Sequence, residues 1–261
     1  MNIPDLPPEL LASVHGHILT ITLARPAKLN TMTPDMGKAL TSLIPIINDD
    51  DEIRVVVLKG EGERAFSAGS DVAALDQYGT NWQLRNRVDY ARAIWAIRKP
   101  VIAAIRGYCI GGGLELALMS DIRVADRTAQ FAAGEIKLGW HGGAGNTQLL
   151  PRAVPTGSAM LMLLTGDRVD AEEAHRIGLV DVLTDAADLD DTVNTIARKI
   201  AGNAPIAAQL AKHLVRTAQS SSLEVGLAYE NDLFAYCFTT ADAQEGQSAF
   251  LEKRAPKFMG E

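Results

Sequence analysis

The sequence contains few cysteines and no long apolar segment. Among its 261 residues only Cys109 and Cys237 are cysteines, and both stand in apolar surroundings. We therefore expect two reduced, buried thiols rather than a disulfide framework. No stretch of roughly 18 or more apolar residues occurs, and the acidic N-terminal segment lacks the charge pattern of a signal peptide. These absences predict a cytoplasmic protein that does not span a membrane.

The chain also has fewer basic than acidic residues. The chain has 25 Lys and Arg against 32 Asp and Glu, which gives a formal net charge of −7. This balance argues against nucleic acid or an anionic membrane as the main partner, although local basic residues can still hold an anionic ligand. His15 and His17 flank a turn with no Cys or carboxylate cluster beside them, so we predict no metal site.

Apolar periodicity predicts both strands and helices. Residues 9–24 are predicted to form a hairpin, and residues 53–60 a buried strand. Thr33-Pro34 marks the start of a helix, because proline is favoured at the first helical position. Residues 72–98 are predicted to form a helix, a break at Gly79 and then a longer helix. The fold class is therefore α/β.

The length and the change of pattern along the chain indicate one large core with an appendage. A chain of 261 residues suffices for one sizeable core. Near residues 190–203 the mixed pattern gives way to helices alone. We therefore divide the chain into a core of residues 1–195 and a C-terminal helical subdomain of residues 196–261. No internal repeat, low-complexity run or linker interrupts it.

Residues 99–125 carry the most informative pattern. The apolar run 101–105 predicts a buried strand, and Gly111-Gly112-Gly113 then leads into good helix formers, with Glu115 in the first turn. Backbone N–H groups at such a helix start suit an anion or a carbonyl oxygen that gains negative charge. A third glycine of a dinucleotide fingerprint is absent, and so is the Lys-Ser/Thr pair of a phosphate-binding loop. The turn therefore predicts that the backbone closely approaches a ligand. Its sequence carries no signature of phosphate binding.

A second glycine turn has the same context. Gly69 follows the strand predicted at 53–60 and precedes a helix that begins at Val72. Asp71 is predicted to cap this helix. Two such turns can each supply one amide to a single carbonyl oxygen, which is the arrangement of an oxyanion hole.

These motifs resemble the crotonase superfamily, the enoyl-CoA hydratase/isomerase group. The resemblance covers nearly the whole chain, in order and at the family's spacing. It rests mainly on residues 24–30, 65–71, 99–122 and 130–148. It implies a crotonase-like ββα spiral core with a C-terminal helical trimerisation subdomain. It also implies an assembly of three or six copies.

The resemblance assigns site residues. It implies that the backbone amides of Ser70 and Gly112 form the oxyanion hole for the thioester carbonyl of an acyl-CoA. Glu115 then matches the family's catalytic base and Glu135 its acid, and hydratases of the family have both. The implied activity is the hydration of a 2-enoyl-CoA, with coenzyme A part of the substrate and no separate cofactor.

Residues that contact coenzyme A are implied in the same way. Lys28 is the best candidate for a basic contact to the nucleotide. The backbone around Ala68 and Ser70, next to Asp71, would hold the adenine and pantetheine. The last helix supplies further candidates that would reach the CoA of a neighbouring subunit, or else simply form an apolar helix face and a solvated lysine: Phe250 and Lys253.

One loop departs from the family's pattern. Hydratases of the family commonly have Pro-Gly-Ala-Gly-Gly-Thr where this chain has Gly142-Gly143-Ala144-Gly145-Asn146-Thr147, preceded by Trp140 and His141. Trp140 and His141 are therefore candidate substrate contacts near Glu135. His141 can serve as a third acid or base, or it can bond a backbone carbonyl while Trp140 packs. We favour the second interpretation, because two glutamates already supply the proton transfers.

Three functions remain open from the sequence. The first is enoyl-CoA hydratase. The second is another crotonase-type reaction, such as isomerisation, hydrolysis or a specialised dehydration, with His141 participating. The third is a CoA-thioester binding protein with little turnover, against which the presence of both Glu115 and Glu135 argues.

Overall fold

The computed structural model describes residues 4–261, whose strands form two sheets. The strands are β1 (Leu10–His15), β2 (Ile18–Leu23), β3 (Val55–Gly60), β4 (Ala65–Ser67), β5 (Val101–Ile105), β6 (Tyr108–Ile110), β7 (Ile122–Asp126), β8 (Gln130–Ala132), β9 (Val169–Asp170) and β10 (Val182–Thr184). The larger sheet has the order β1-β2-β3-β5-β7-β10, and the smaller has the order β4-β6-β8-β9. Only the β1–β2 and β8–β9 pairs within this described part are antiparallel.

Helices cover the sheets and form the C-terminal end. They are α1 (Pro34–Asp49), α2 (Val72–Leu75), α3 (Asn81–Arg85), α4 (Tyr90–Trp95), α5 (Gly112–Met119), α6 (Asn146–Ala153), α7 (Thr156–Thr165), α8 (Ala171–Arg176), α9 (Leu189–Ala201), α10 (Pro205–Ala218), α11 (Leu223–Cys237) and α12 (Ala241–Glu252). As predicted, α1 begins at Pro34, where the Thr33 hydroxyl accepts a hydrogen bond from the Met36 N–H. Among residues 4–261, no helix is both long enough and apolar enough to cross a membrane.

Three successive units build the spiral core. In each unit, one strand joins the larger sheet and the next joins the smaller: β3 and β4, β5 and β6, β7 and β8. A helical segment follows each pair. The α/β class and the ββα core are therefore confirmed. Because β4, β6 and β8 are parallel neighbours, their C-terminal ends lie along one edge of the smaller sheet.

The segment 72–98 differs from its prediction. Instead of one break and a longer helix, it forms the three short helices α2, α3 and α4. The cause is two additional caps: the Thr80 hydroxyl accepts from the Gln83 N–H, and the Asp89 carboxylate accepts from the N–H groups of Ala91 and Arg92. Each cap starts a new helix.

Two smaller expectations are also corrected. Asp71 precedes α2 but does not cap it, because its carboxylate pairs with the Arg25 guanidinium at 3.1 Å. Both cysteines are free, and Cys109 is buried as expected, whereas Cys237 is only half-buried. Cys237 ends α11, which has no fully buried residue.

Helix α9 packs on the outer face of the larger sheet. Its buried residues Leu189, Val193, Ala197 and Ala201 form a second core cluster with residues of β3, β5 and β7. Those strands are apolar on both faces, as expected of buried parallel strands. The division at residue 195 stays a prediction, and this position falls inside α9.

A buried charge cluster attaches α10 to the core. The Asp121 carboxylate accepts hydrogen bonds from the Lys212 ammonium at 2.7 Å and from the Arg216 guanidinium at 2.8 Å. It also accepts from the N–H of Val101, the first residue of β5, at 2.7 Å. Burial lowers the pKa of Lys212 to about 8, and Asp121 opposes that shift. Asp121 thus joins the C-terminal helices to β5 in the larger sheet.

We expect Asp121→Ala to destabilise the protein by about 3–5 kcal/mol, because it leaves two buried cations without their counter-charge. Urea unfolding measures the change. The control is Asp185→Ala, which removes an exposed partner of Arg127 and should change stability by less than about 1 kcal/mol. Equal effects of the two variants would contradict the structural role of Asp121.

Candidate active site

Three turns converge at the edge where β4, β6 and β8 end. The first turn contains Gly69 and Ser70, the second contains Gly111 and Gly112, and the third is a 3-10 helix, Gly134–Leu138, that carries Glu135. A Cβ placed on Gly111 would lie 3.5 Å from the Glu135 carboxyl carbon, so the second and third turns are in contact. The spiral therefore brings together predicted residues from three parts of the chain.

Backbone packs directly on backbone between the first two turns. Gly69 has a φ of +91°, and a Cβ at this residue would lie 2.7 Å from the Gly112 nitrogen. A Cβ on Gly113 would overlap the carbonyl oxygen of Ser67. Glycine alone fits this approach. Within residues 4–261, the N–H groups of Ser70 and Gly112 donate no hydrogen bond to another backbone group.

Glu115 lies in the first turn of α5 and is only 4% exposed. Its Oε1 accepts a hydrogen bond from the Ala144 N–H at 2.7 Å and a longer one from the Asn146 N–H at 3.4 Å. Burial raises the pKa of Glu115 to about 7, and nearby Glu135 adds to the rise, while the bond from Ala144 opposes it. The group is thus poised to exchange a proton near neutral pH.

Asn146 connects the two glutamates. Besides its N–H contact to Glu115, its Nδ2 donates to Glu135 Oε1 at 3.0 Å and to the Gly111 carbonyl at 3.3 Å. Burial raises the pKa of Glu135, whereas the hydrogen bond from Asn146 lowers it. Two buried acceptors, Glu135 Oε2 and Asn146 Oδ1, have no protein partner among the described residues. A donor that enters the site would satisfy them.

Sequence reasoning missed Asn146, although a signal was present. In the alignment of this loop with the family's Pro-Gly-Ala-Gly-Gly-Thr, Asn146 takes the place of the second glycine of the Gly-Gly pair. Trp140 and His141, in the same loop, were the candidates that the sequence pointed to instead.

Tyr90, from α4, was also missed. Its hydroxyl oxygen lies 2.9 Å from the Ser70 Oγ, and a Cβ on Gly112 would overlap it. Burial raises the pKa of the Tyr90 phenol, and the charge of Glu115 adds to this effect. The phenol therefore stays neutral beside the two free amides. No motif marks this residue, because only the path of α4 brings it to the site.

The candidate CoA contacts near the first turn lie on adjoining segments. Lys28 is exposed at the end of a 3-10 helix, Pro26–Lys28. The next residue, Leu29, accepts a hydrogen bond through its carbonyl from the Ala68 N–H at 2.9 Å. The Arg25–Asp71 ion pair joins the same two segments. Lys28, Ala68 and Asp71 are thus grouped beside Ser70.

The remaining candidates lie on the surface. Trp140 is 43% exposed, so the expectation that it packs is wrong: the 3-10 helix ends at Gly139 with a φ of +91°, and the chain then runs along the surface. His141 Nδ1 lies 2.8 Å from the Gly142 carbonyl oxygen, which confirms the predicted backbone hydrogen bond. Phe250, in α12, is 83% exposed, and Lys253 is exposed just beyond that helix.

Known proteins are similar to this chain in sequence and in fold. The family described as Enoyl-CoA hydratase/isomerase matches residues 13–261. The short-chain-enoyl-CoA hydratase of Clostridium acetobutylicum is 37% identical over 251 residues, which are 94% of this chain and 95% of that protein. The (E)-benzylidenesuccinyl-CoA hydratase of Thauera aromatica is 38% identical over 252 residues, with 95% and 97% covered. The crystal structure of an enoyl-CoA hydratase from Bacillus anthracis has a TM-score of 0.92 at 35% identity, covering 97% of this chain and 100% of that one. The chain therefore belongs to the enoyl-CoA hydratase/isomerase family.

Proposed function

We propose that this protein adds water across the double bond of a 2-enoyl-CoA thioester. The observation that carries the proposal is the pairing of buried Glu115 with half-buried Glu135 through one residue, Asn146. Beside the pair stand the N–H groups of Ser70 and Gly112. A hydration needs both features, because the thioester must be polarised while two groups exchange protons with water and substrate.

The proposed chemistry uses the two carboxyl groups in opposite senses. Glu115 accepts a proton from water as the water oxygen bonds to the β-carbon of the substrate. Glu135 donates a proton to the α-carbon. The enolate oxygen that forms between these events is held by the amides of Ser70 and Gly112, with the N-terminus of α5 behind them. One water is added, and transfer of one proton from Glu115 to Glu135 restores the starting state.

Both pKa values are raised towards neutrality, which suits groups that exchange protons with water and substrate. A base is most effective when its pKa lies near the working pH, and that of Glu115 is about 7. The pKa of Glu135 is raised by burial, which helps it to retain a proton for donation. The two groups interact, so they titrate as a pair.

The alternative that involves His141 is less well supported. Its Nδ1 is engaged by the Gly142 carbonyl, and the ring is exposed. The identity of the substrate's acyl group is also part of the proposal. Crotonyl-CoA and (E)-benzylidenesuccinyl-CoA are suitable first substrates, because relatives are named for short-chain and benzylidenesuccinyl substrates.

Glu115→Gln is expected to lower kcat by about 10²–10⁴-fold, because the base is lost. The loss of absorbance of the conjugated thioester of crotonyl-CoA measures the rate. His141→Gln is the control and should retain near wild-type turnover. Hydration by Glu115→Gln at the wild-type rate would reject the assigned base, and inactivity of His141→Gln would favour the alternative reaction.

The same variant should be more stable than the wild type at alkaline pH. Because the pKa of Glu115 is raised from 4.5 to about 7 on folding, the folded protein binds more protons than the unfolded chain between these values. Stability from this group is therefore lost as pH rises through about 7. At pH of about 8, Glu115→Gln should gain up to about 3 kcal/mol in urea unfolding. A loss of stability would show that the buried carboxylate contributes favourably.

The value of kcat/KM should rise as the pH approaches neutrality from below. Glu115 must be ionised to accept a proton, so activity should fall about tenfold per unit as pH drops below about 7. Initial rates with crotonyl-CoA across this range test the expectation. A profile that stays flat through neutrality would contradict a base with a pKa near 7.

We also propose that coenzyme A contacts Lys28, Ala68 and Asp71, and that Phe250 and Lys253 reach the coenzyme A of a neighbouring copy. Exposed apolar side chains of α11, of Phe238 just after it and of α12 support self-association, because exposed apolar surface of this kind often marks a protein interface. They are Leu223, Val225, Leu227, Phe234, Tyr236, Phe238, Phe250 and Leu251. The proposed assembly is a homotrimer or homohexamer. The cytoplasmic location stays a prediction.

Sedimentation velocity should give the mass of three or six chains. Phe250→Asp should shift the protein towards monomer, because it places a charge in the proposed interface. Leu11→Asp is the control: Leu11 is also apolar and exposed, but lies in β1, away from these helices. A monomeric wild type would contradict the proposed assembly.

A further inference from the structure

We infer that Asn146 is a positioning residue that orients the Glu135 carboxyl group, and that Asn146 and Gly142 are sterically coupled. This inference rests on the proposed function, since it concerns the same pair of carboxyl groups. At these two positions the family's pattern has a proline and a glycine. This chain has Gly142 in place of the proline and Asn146 in place of the glycine.

The orientation of the Asn146 amide is fixed by its partners. Nδ2 donates to Glu135 Oε1 at 3.0 Å and to the Gly111 carbonyl oxygen at 3.3 Å. Both partners are acceptors, so only the NH₂ end of the amide can face them. Gly111 is itself anchored, because its N–H donates to the Ala132 carbonyl at 2.9 Å. Asn146 thus ties the Glu135 carboxylate to the glycine turn that carries Gly112.

Within residues 4–261, Asn146 is the one side chain that donates a hydrogen bond to Glu135. It is fully buried, so its bond is shielded from competing water. A donor to a carboxylate stabilises the ionised form and fixes the direction of the oxygen that it contacts. Without Asn146, Glu135 Oε1 would lose its side-chain donor, and the carboxyl group would hold its proton more tightly.

Sterics couple Asn146 to Gly142. A Cβ built on Gly142 would lie 2.7 Å from the Asn146 Cβ and 3.0 Å from its Nδ2, and 2.9 Å from Glu115 Oε1. The two contacts with Asn146 crowd any side chain at position 142, and the contact with Glu115 adds a limit that does not depend on Asn146. The two departures from the family's pattern are therefore sterically coupled.

Two substitutions of Asn146 separate positioning from packing. Asn146→Asp keeps the shape but removes the donor and adds a negative charge, whereas Asn146→Ala removes both the donor and the volume. A positioning role predicts that Asp lowers kcat with crotonyl-CoA by about 10–100-fold or more, at least as much as Ala. KM should change less than about threefold. A packing role predicts the reverse order, with Asp nearly harmless, and that outcome would overturn the inference. Gln148→Ala, an exposed neighbour on α6, is the control.

A titration supplies a readout that does not depend on turnover. Carbon NMR of protein labelled in glutamate carboxyl groups follows Glu135, assigned by the signal that Glu135→Gln removes. The pKa of Glu135 should rise by about one unit in Asn146→Ala and further in Asn146→Asp, because the donor is lost and then a like charge is added. An unchanged pKa would overturn the inference. If the wild type fails to hydrate either thioester, the proposed function fails while this titration still decides the role of Asn146.

The coupling to position 142 is tested by a double-mutant cycle. Gly142→Ala alone should unfold at lower urea concentration, because its Cβ meets Asn146. Combined with Asn146→Gly, the same substitution should be tolerated better, so the two stability changes should not add. Additive changes would show that the two positions are independent.

Discussion

The close contact of two backbone turns governs the architecture of this site. Where β4 and β6 end, Gly69 meets Gly112 with no side chain between them, and Gly113 faces the Ser67 carbonyl. This contact leaves two amides side by side without backbone partners. It also buries α5 on all sides, which places Glu115 in a poorly solvated position. The acid–base chemistry therefore follows from how closely the main chain packs.

Much of this architecture could be predicted from the sequence. The β-branched run at 101–105, the glycine triplet and the helix formers after it gave β5, the turn and α5 directly. Glu135 came only from the family resemblance, since its strand is three residues long and its turn contains a single glycine. Asn146 and Tyr90 were missed because their roles depend on contacts between distant segments. The short helices of 72–98 were missed because the caps at Thr80 and Asp89 were not weighed against the apolar pattern.

The buried charges divide into two kinds. Asp121 is surrounded by donors and joins α10 to β5. Glu115, by contrast, has backbone donors but no cation, and burial raises its pKa. The first arrangement stabilises the fold, whereas the second disfavours the ionised form that the reaction requires. A fold that holds an uncompensated carboxylate needs stability from elsewhere, and the Asp121 cluster, just beyond the end of α5, is one source.

The steric conflict between positions 142 and 146 also restricts the order in which this loop could have diversified. A side chain at 142 crowds the asparagine at 146, so gaining the asparagine while a proline still occupied 142 would overcrowd the loop. Glycine at both positions removes the contact between the two Cβ atoms. Starting from a loop with the proline, the order that avoids overcrowding is therefore loss of the proline first and gain of the amide second.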